Sequence, residues 1–391
     1  MNTYKIYNNI AKEGINHLES YGFKEEKSNP DALLIRSHLL EESDFNKSLK
    51  CICRAGAGVN HIPIKNATDR GVVVFNTPGG NANAVKELVI CGLLLSSRGI
   101  VQGHSFAKSL EDINSEELTD LVETNKKNFK GTELKGKTIG IIGLGAIGSL
   151  LAQSVDSLGM KIIGYDPNIS IDAAWQLPKE VEKAEDLKYL LSNSDYVSVH
   201  VPLVDETKNL ISNDMLKFIK PEAKLINLSR GPIVNNNDVL KALKNNKISC
   251  FVTDFPTPEM VKRAKEFSDV ILLPHLGAST KEAEINCAIM AAEQASRFLM
   301  DGEITNSVNF PKVKLGRTTK FRLVIIHKDE PGVIGNIAGE IASHNINIPD
   351  MINKSRDEIA ITVIDLDNKP TQKIINNLKN ITNVLSVRMC E

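Results

Sequence analysis

TIGIIGLGAIGSLLAQSVDSLG, residues 138–159, decides the fold. Its first part, Thr138 to Ile142, is a short apolar run of the kind that forms a buried parallel strand. Gly143, Gly145 and Gly148 then form a GxGxxG, and the apolar spacing switches to that of a helix. In such a strand–turn–helix the first glycine permits the tight turn. The second lets a pyrophosphate reach the backbone, and the third lets helix and strand pack closely. The helix start at Ala146 and Ile147 offers unpaired amides to phosphate oxygens. Asp166 closes the next strand, KIIGYD, eighteen residues beyond Gly148, where a carboxylate meets the adenosine ribose hydroxyls. That carboxylate repels a 2′-phosphate and no Arg or Lys follows up to Ser170, so the pattern predicts NAD rather than NADP.

Further strands follow downstream at YVSVHVP (196–202), KLINLS (224–229), CFVTDF (250–255) and VILLPH (270–275), giving six for a doubly wound sheet. Upstream, TYKIY (3–7), ALLIR (32–36), KCICRAG (50–56) and GVVVFN (71–76) suggest a second parallel sheet. Helical spacing runs over 81–98 and 281–300. The stretch 111–137 is polar and charged, and reads as a surface crossing between domains. Residues 301–320, with Gly302, Pro311 and Gly316, read as a linker. Beyond it FRLVIIH, a helix over 333–343, INIPDMI, EIAITVIDLD, a helix over 371–378 and VLSVRMC follow in the order βαββαβ, a ferredoxin-like layout. The expected class is therefore α/β, with two doubly wound parallel-sheet (Rossmann-like) domains and one small βαββαβ unit.

Composition narrows the function. The chain has 391 residues, 42% hydrophobic and 24% charged, and can bury a large core without disulfides or metals. A net charge of -1 gives no electrostatic case for nucleic acid or an anionic membrane, though a local basic pocket stays open. The six cysteines form no CxxC and no Cys/His cluster with zinc spacing, so no metal is expected. Cys51 and Cys53 read as small buried hydrophobes on one strand face. Reduced thiols and the lack of an apolar signal core in MNTYKIYNNIAKEG point to the cytoplasm.

Three residues at later strand ends suit an alcohol oxidation: Arg230 after KLINLS, Glu259 after TDFPTP, and His275 after VILLP. Histidine, with an unperturbed pKa of roughly 6.5, suits removal of a hydroxyl proton. Arginine donates two parallel hydrogen bonds to a carboxylate. A carboxylate beside the imidazole favours its charged form and fixes the ring. Taken singly, each has a plain reading as a capping, surface or structural residue; together at strand ends they point to a site.

With these residues, GLGAIG (143–148), Asp166, NLSRGPIV (227–234), TDF…PE (253–259) and PHLGAST (274–280) resemble the D-isomer-specific 2-hydroxyacid dehydrogenase family over nearly the whole chain. The resemblance implies catalytic roles for Arg230, Glu259 and His275. It places the nicotinamide against Asp254 and further NAD contacts on Ala146, Ile147, Leu228, Ser229, Gly277 and Ala278. RAGAGVN (54–60) is similar to the family's substrate loop, with Arg54 for a phosphate and the amides of Ala55, Gly56 and Gly58 for a carboxylate. NTP (76–78) resembles a second substrate-side turn that includes Thr77. The implied substrate is 3-phospho-D-glycerate, with glycerate, hydroxypyruvate, lactate or 2-hydroxyglutarate as alternatives, and an NAD-sensing interaction protein as the rival from another class. The implied domains are 1–98 for substrate, completed by 284–312, then 99–283 for NAD, and 319–391. One departure stands out: the family usually reads D-V-F-x-x-E-P where this chain has Asp254 to Glu259 as DFPTPE. HKDEPGVIGNIA (327–338) resembles the signature of an ACT regulatory domain, which implies an effector, serine in related enzymes, at His327, Asp329 and Asn347. A homo-oligomer, dimer or tetramer, is expected.

Overall fold

The computed structural model describes residues 2–111 and 113–390. Its chain divides into two units, Met1–Asn81 with Lys281–Glu391, and Ala82–Thr280.

The first unit opens with β1 (Thr3–Ile6), α1 (Lys12–Ser20), β2 (Lys24–Glu25), β3 (Ala32–Ile35), β4 (Cys51–Arg54), α2 (Ile64–Asp69) and β5 (Val73–Phe75). The strands are all parallel, in the order β2-β1-β3-β4-β5, a doubly wound arrangement. Runs such as ALLI are buried on both faces, as a parallel sheet requires. Cys51 and Cys53 lie fully buried in β4, and burial together with the Cys51 neighbour pushes the Cys53 thiol well up.

The second unit holds α3 (Ala82–Ser97), α4 (Ile100–Lys108), α5 (Ser115–Asn125), β6 (Thr138–Ile142), α6 (Ala146–Ser157), β7 (Lys161–Tyr165), α7 (Ile171–Ala174) and β8 (Val181–Lys183). There follow α8 (Leu187–Asn193), β9 (Tyr196–Val199), α9 (Asn213–Leu216), β10 (Ala223–Asn227), α10 (Asn236–Lys244), β11 (Ile248–Thr253), α11 (Pro258–Glu266) and β12 (Val270–Leu272). Its seven parallel strands run β12-β11-β10-β9-β6-β7-β8. The six expected strands are all present, and the short edge strand β8 is added. The order reverses between β6 and β9, where open α/β sheets hold their ligands.

Two expectations need correction here, the domain boundary and the linker, while the polar stretch proves partly helical. The boundary at residue 98 falls instead before Ala82, because Val85, Val89 and Leu93 of α3 pack into the core of the second unit beside Ile226 and Val252. The polar stretch after 111 contains α5, which Asn114 caps by accepting from the Glu117 amide. The linker is docked: Ile304, Phe310 and Val313 are buried, and Ile304 bridges Val313. Its apolar residues outweigh the Gly and Pro that suggested a linker.

The first unit resumes with α12 (Lys281–Asp301). Gly14 of α1 faces this helix so closely that a Cβ would lie 2.6 Å from the Ala288 carbonyl oxygen. Then come β13 (Phe321–Lys328), α13 (Val333–Ser343), β14 (Asp350–Arg356), β15 (Ile359–Leu366), α14 (Gln372–Lys379) and β16 (Val384–Cys390). They form an antiparallel sheet, β14-β15-β13-β16, with the βαββαβ connectivity expected. The second strand of this unit starts only at Asp350, after Pro349, which has no amide to donate to a ladder. One face, with Leu323 and Ile325, packs on Ile337, Ile341, Ile374 and Leu378. The other face, with Val324, Ile326, Ile361 and Val363, joins Phe298 and Leu299 of α12 in one core.

Arg322 and Asp365 lock this sheet to the chain that leads into it. Both are buried, and the guanidinium donates to Asp365 Oδ1 at 2.6 Å and Oδ2 at 2.9 Å. It also donates to the carbonyls of Asp301, Leu315 and Gly316. Burial alone raises the Asp365 carboxyl. The bonds from Arg322 and Thr318 overcome it and hold the group below the usual carboxylate value. Breaking such a pair leaves an uncompensated buried charge, so Asp365→Ala is expected to cost about 3–5 kcal/mol, read from urea denaturation. Arg322→Met with Asp365→Leu is expected to cost less than the single change. Because folding lowers this pKa, its contribution is present above the unfolded value near 3.9 and lost as pH falls through the folded one.

Candidate functional site

In the second unit, the turn after β6 has a different physical reason for each glycine. Gly143 has φ +92, and a Cβ there would lie 2.8 Å from the His200 backbone. A Cβ on Gly148 would lie 2.0 Å from the Gly143 carbonyl oxygen. Gly145 differs: a Cβ there meets nothing within 4 Å, and its φ of −70 suits any residue. The protein's own packing explains two of the glycines, and the third, the N-cap of α6, leaves the backbone open to something approaching from outside. Gly145 and Ala146 are exposed at the start of α6, whose first amides have no partner within the helix. A dinucleotide pyrophosphate fits this cradle.

Asp166 ends β7 half-buried, its Oδ2 accepting from the Leu144 amide at 2.8 Å and its Oδ1 from the Asn168 amide at 2.9 Å. This carboxylate is thereby fixed beside the glycine turn. At the end of β10, Leu228 and Ser229 are buried and Arg230 is half-buried. Asn227 orders this corner, its Nδ2 donating to the Arg230 carbonyl at 3.0 Å and its Oδ1 accepting from the Ser229 amide at 3.2 Å. Arg230 Nη1 donates to the Ser229 carbonyl at 2.6 Å.

Asp254 follows β11 and is 1% exposed. Its Oδ2 accepts from the Gly277 amide at 3.1 Å, and its carbonyl accepts from the His275 amide at 3.1 Å. Its Oδ1 is buried without a partner among the described residues. Burial raises this carboxyl, against the Gly277 bond and the nearby His275 and Arg230 charges. His275 and Arg230 therefore gather about one buried carboxylate. His275 is exposed, adopts φ +52 and packs its ring on Phe255 with centroids 5.1 Å apart. Ala278 is exposed beside Gly277.

Glu259 does not join them. It lies exposed in the first turn of α11, capped by Thr257, and borders a shallow groove with Lys241, Lys244 and Lys262. Among the described residues it makes no ion pair with His275, so the pairing expected from the sequence is absent here. Pro258 starts the helix at this point and carries Glu259 onto it.

In the first unit, Arg54 ends β4 and leads into Ala55, Gly56 and Gly58. Gly56 has φ +143, and a Cβ there would lie 2.0 Å from Arg54 Nη1. The Gly56 amide donates to Thr77 Oγ1 at 2.6 Å, and Thr77 is fully buried. Asn76 Nδ2 donates to the Ala57 carbonyl at 2.7 Å. The two loops expected to meet substrate thus brace one another at the carboxyl ends of β4 and β5.

Of the residues expected to meet an effector, Asp329 and Asn347 are exposed, and Asn347 Nδ2 donates to Asp367 Oδ2 at 2.9 Å. His327 is a correction. It is 1% exposed, with Nδ1 against the Lys328 carbonyl at 2.7 Å and Nε2 against Thr362 Oγ1 at 2.9 Å. Both ring nitrogens are used inside the sheet.

The sequence reading passed over His200 and His61. His200 ends β9 next to the glycine turn, with Nε2 2.8 Å from Ser198 Oγ and Nδ1 buried without a partner among the described residues. Burial pushes it down to about 4. Its HVP context follows the strand-end rule that selected His275.

The profile of the D-isomer specific 2-hydroxyacid dehydrogenase, NAD binding domain, matches residues 94–277. D-3-phosphoglycerate dehydrogenase of Haemophilus influenzae is 31% identical over 364 residues, covering 91% of this chain and 84% of that protein. The chain belongs to the D-isomer specific 2-hydroxyacid dehydrogenase family. D-3-phosphoglycerate dehydrogenase of Synechocystis sp. is 34% identical over 322 residues, 81% of this chain and 55% of that protein. The chain thus spans little more than half the length of some family relatives. Among solved structures, NAD+-bound 3-phosphoglycerate dehydrogenase of Entamoeba histolytica aligns with a TM-score of 0.62 at 24% identity, over 78% of this chain and 98% of that one. That likeness speaks to the family fold. Among the described residues no helix is long and apolar enough to cross a membrane.

Folding raises the Asp254 pKa, so ionising it costs the folded state. The penalty is absent below the unfolded value of about 3.9, grows with pH, and is complete above the folded value. Asp254→Asn is therefore expected to melt at or above the wild-type temperature at neutral pH. A lower melting temperature in differential scanning calorimetry would show the charge to be stabilising instead.

Proposed function

We propose that the protein is an NAD-dependent dehydrogenase that oxidises 3-phospho-D-glycerate at C2 to 3-phosphooxypyruvate, as a first step of serine biosynthesis. The gathering of Arg230 and His275 about buried Asp254, at the sheet edge that carries the open Gly145 turn, is the observation that supports it most. The names of the relatives add the choice of substrate.

The roles follow from chemistry. NAD, when bound, supplies the hydride acceptor. The residues that would hold it are Gly143 to Gly148, Asp166, Leu228, Ser229, Asp254, Gly277 and Ala278. Arg230 pairs with the substrate C1 carboxylate through its planar fork. His275 takes the C2 hydroxyl proton as the C2 hydride leaves. The imidazolium so formed needs a carboxylate, and buried Asp254, whose carbonyl accepts from the His275 amide, is suited to that part. Glu259 has that part only if α11 turns its first turn towards the ring. Arg54 receives the phosphate end of the substrate, while the amides of Ala55, Gly56 and Gly58 face its carboxylate beside the Thr77 turn. Cytoplasmic placement goes with this metabolic role.

We read the C-terminal sheet as an ACT-type module. Its βαββαβ order and the exposed loop at Asp329, leading through Gly332 at φ +86 into α13, support this. With His327 engaged internally, an amino-acid effector such as serine would meet Asp329 and Asn347. A homo-oligomer is supported by the exposed Cys91, Leu94, Ile100 and Val101 along α3 and α4.

The test is absorbance of reduced cofactor with NAD and a panel of 3-phospho-D-glycerate, D-glycerate, D-lactate and D-2-hydroxyglutarate, run with and without L-serine. The phosphorylated acid is expected to give the highest kcat/KM. Loss of a general base costs about 10²–10⁴-fold, so His275→Asn is expected to lose that much kcat while still binding NAD. Absence of turnover on every hydroxy acid would favour the NAD-sensing alternative. A His275→Asn enzyme at near wild-type rate would remove the proposed base.

A further inference from the structure

His61 lies in the loop that carries Arg54 to Gly58, beyond the carboxyl end of β4. Its carbonyl accepts from the Leu40 amide at 3.1 Å, which ties this loop to the one after β3. Its Nε2 is buried and, among the described residues, has no hydrogen-bond partner. Buried polar atoms are nearly always paired, so an unused imidazole nitrogen calls for a partner from outside the chain.

The charges around it decide which partner. From β4, the Arg54 guanidinium lies near the ring, anchored by its Nε donating to the Arg36 carbonyl at 3.1 Å. From the loop after β3 comes His38, whose ring stacks on Tyr7 with centroids 4.1 Å apart and planes 3° from parallel. The acid of this cluster, Asp44, is spent on others. It accepts from the Tyr7 hydroxyl and stands 3.7 Å from His38 Nε2, while Lys5 donates to Tyr7 at 2.6 Å. No carboxylate pairs with His61 among the described residues. Burial, then the Arg54 charge, then His38 hold the His61 imidazole below its usual value. A guanidinium and two imidazoles thus stand at one sheet edge, one of them kept neutral with a nitrogen to spare.

We propose that His61 and Arg54 together receive the 3-phosphate of the substrate, with His61 taking up a proton from solvent as the phosphate binds. This rests on the phosphoglycerate reading above. A phosphate monoester brings close to two negative charges and three acceptor oxygens, enough for separate donors on separate oxygens. A carboxylate brings one charge and two oxygens, and Arg230 is the fork suited to it. The arriving dianion reverses the electrostatic balance that keeps His61 neutral, so its bound-state pKa rises and it donates as an imidazolium. Binding of the phosphorylated substrate is then tight below that bound-state pKa and weakens as pH rises through it.

The experiment is steady-state kinetics of the full-length protein at saturating NAD, with 3-phospho-D-glycerate and with D-glycerate, between about pH 6.5 and 9.5. Wild type, His61→Asn and His61→Gln are compared, and thermal melts confirm that the variants fold. The phosphate's own ionisation is common to all three and cancels between them. His61→Asn is expected to raise KM for 3-phospho-D-glycerate about tenfold at the low-pH end, as for loss of one charge-assisted hydrogen bond, with kcat within about twofold. It is also expected to flatten the rise of KM with pH and to leave kcat/KM for D-glycerate within about twofold. If both variants keep the wild-type phosphate preference and its pH trend, or lose both substrates equally, the role of His61 is overturned while the dehydrogenase reading stands. If wild type gains nothing from the phosphate, the phosphoglycerate reading fails first and this inference with it.

Discussion

A missing side chain at Gly148 sets the geometry of the second unit. With only 2.0 Å between the Gly143 carbonyl oxygen and the place a Cβ would occupy, helix α6 can sit against the end of β6 only if that atom is absent. Gly143 meets the same demand from the other side, where the chain leaving β9 passes against it. These two contacts bring the start of α6 to the point where the strand order reverses. Asp166, Arg230, Asp254 and His275 follow the ends of other strands of the same sheet, so the edge suited to a phosphate also carries the candidate chemistry. The site follows from the parallel sheet because parallel strands all end on one side.

Asp254 is the electrostatic centre of that edge. A carboxylate this buried is costly, and one of its oxygens lacks a partner among the described residues. The Gly277 amide and the nearby Arg230 and His275 offset part of the cost. The same carboxylate that orders the histidine turn keeps a free acceptor at the site, a local strain of the sort that binding sites carry. The Arg322–Asp365 pair is the contrast. There every carboxylate oxygen is bonded, burial is complete, and the pair joins a sheet to its approach segment with no ligand in view.

Much of this was legible from residue patterns, where one physical cause dominates. The strands of both parallel sheets are short runs of Val, Ile and Leu bounded by turns, and a GxGxxG between strand and helix points to a dinucleotide turn. What misled was local reading of features settled by tertiary packing. Helix α3 looked like the end of the first domain because it follows it in sequence, yet its buried face belongs to the second core. Residues 301–320 looked like a linker from Gly and Pro, while buried Phe310 and Val313 dock the segment. Glu259 stood at the right spacing from Asp254, but Pro258 starts a helix there and carries the carboxylate to the surface. His327 matched an effector motif, and its ring is consumed by Thr362, a partner visible only once β13 and β15 pair. His61 gave no sequence signal beyond its place after a glycine-rich loop.

Gly145 is open for a ligand and not for the protein itself, and the cofactor site depends on that. Calorimetric titration of NAD into Gly145→Val, alongside its thermal melt, tests this most directly. A melting temperature within a few degrees of wild type is expected, since a Cβ meets nothing there, with NAD affinity lowered by at least about 100-fold. Wild-type affinity in a folded Gly145→Val protein would contradict it.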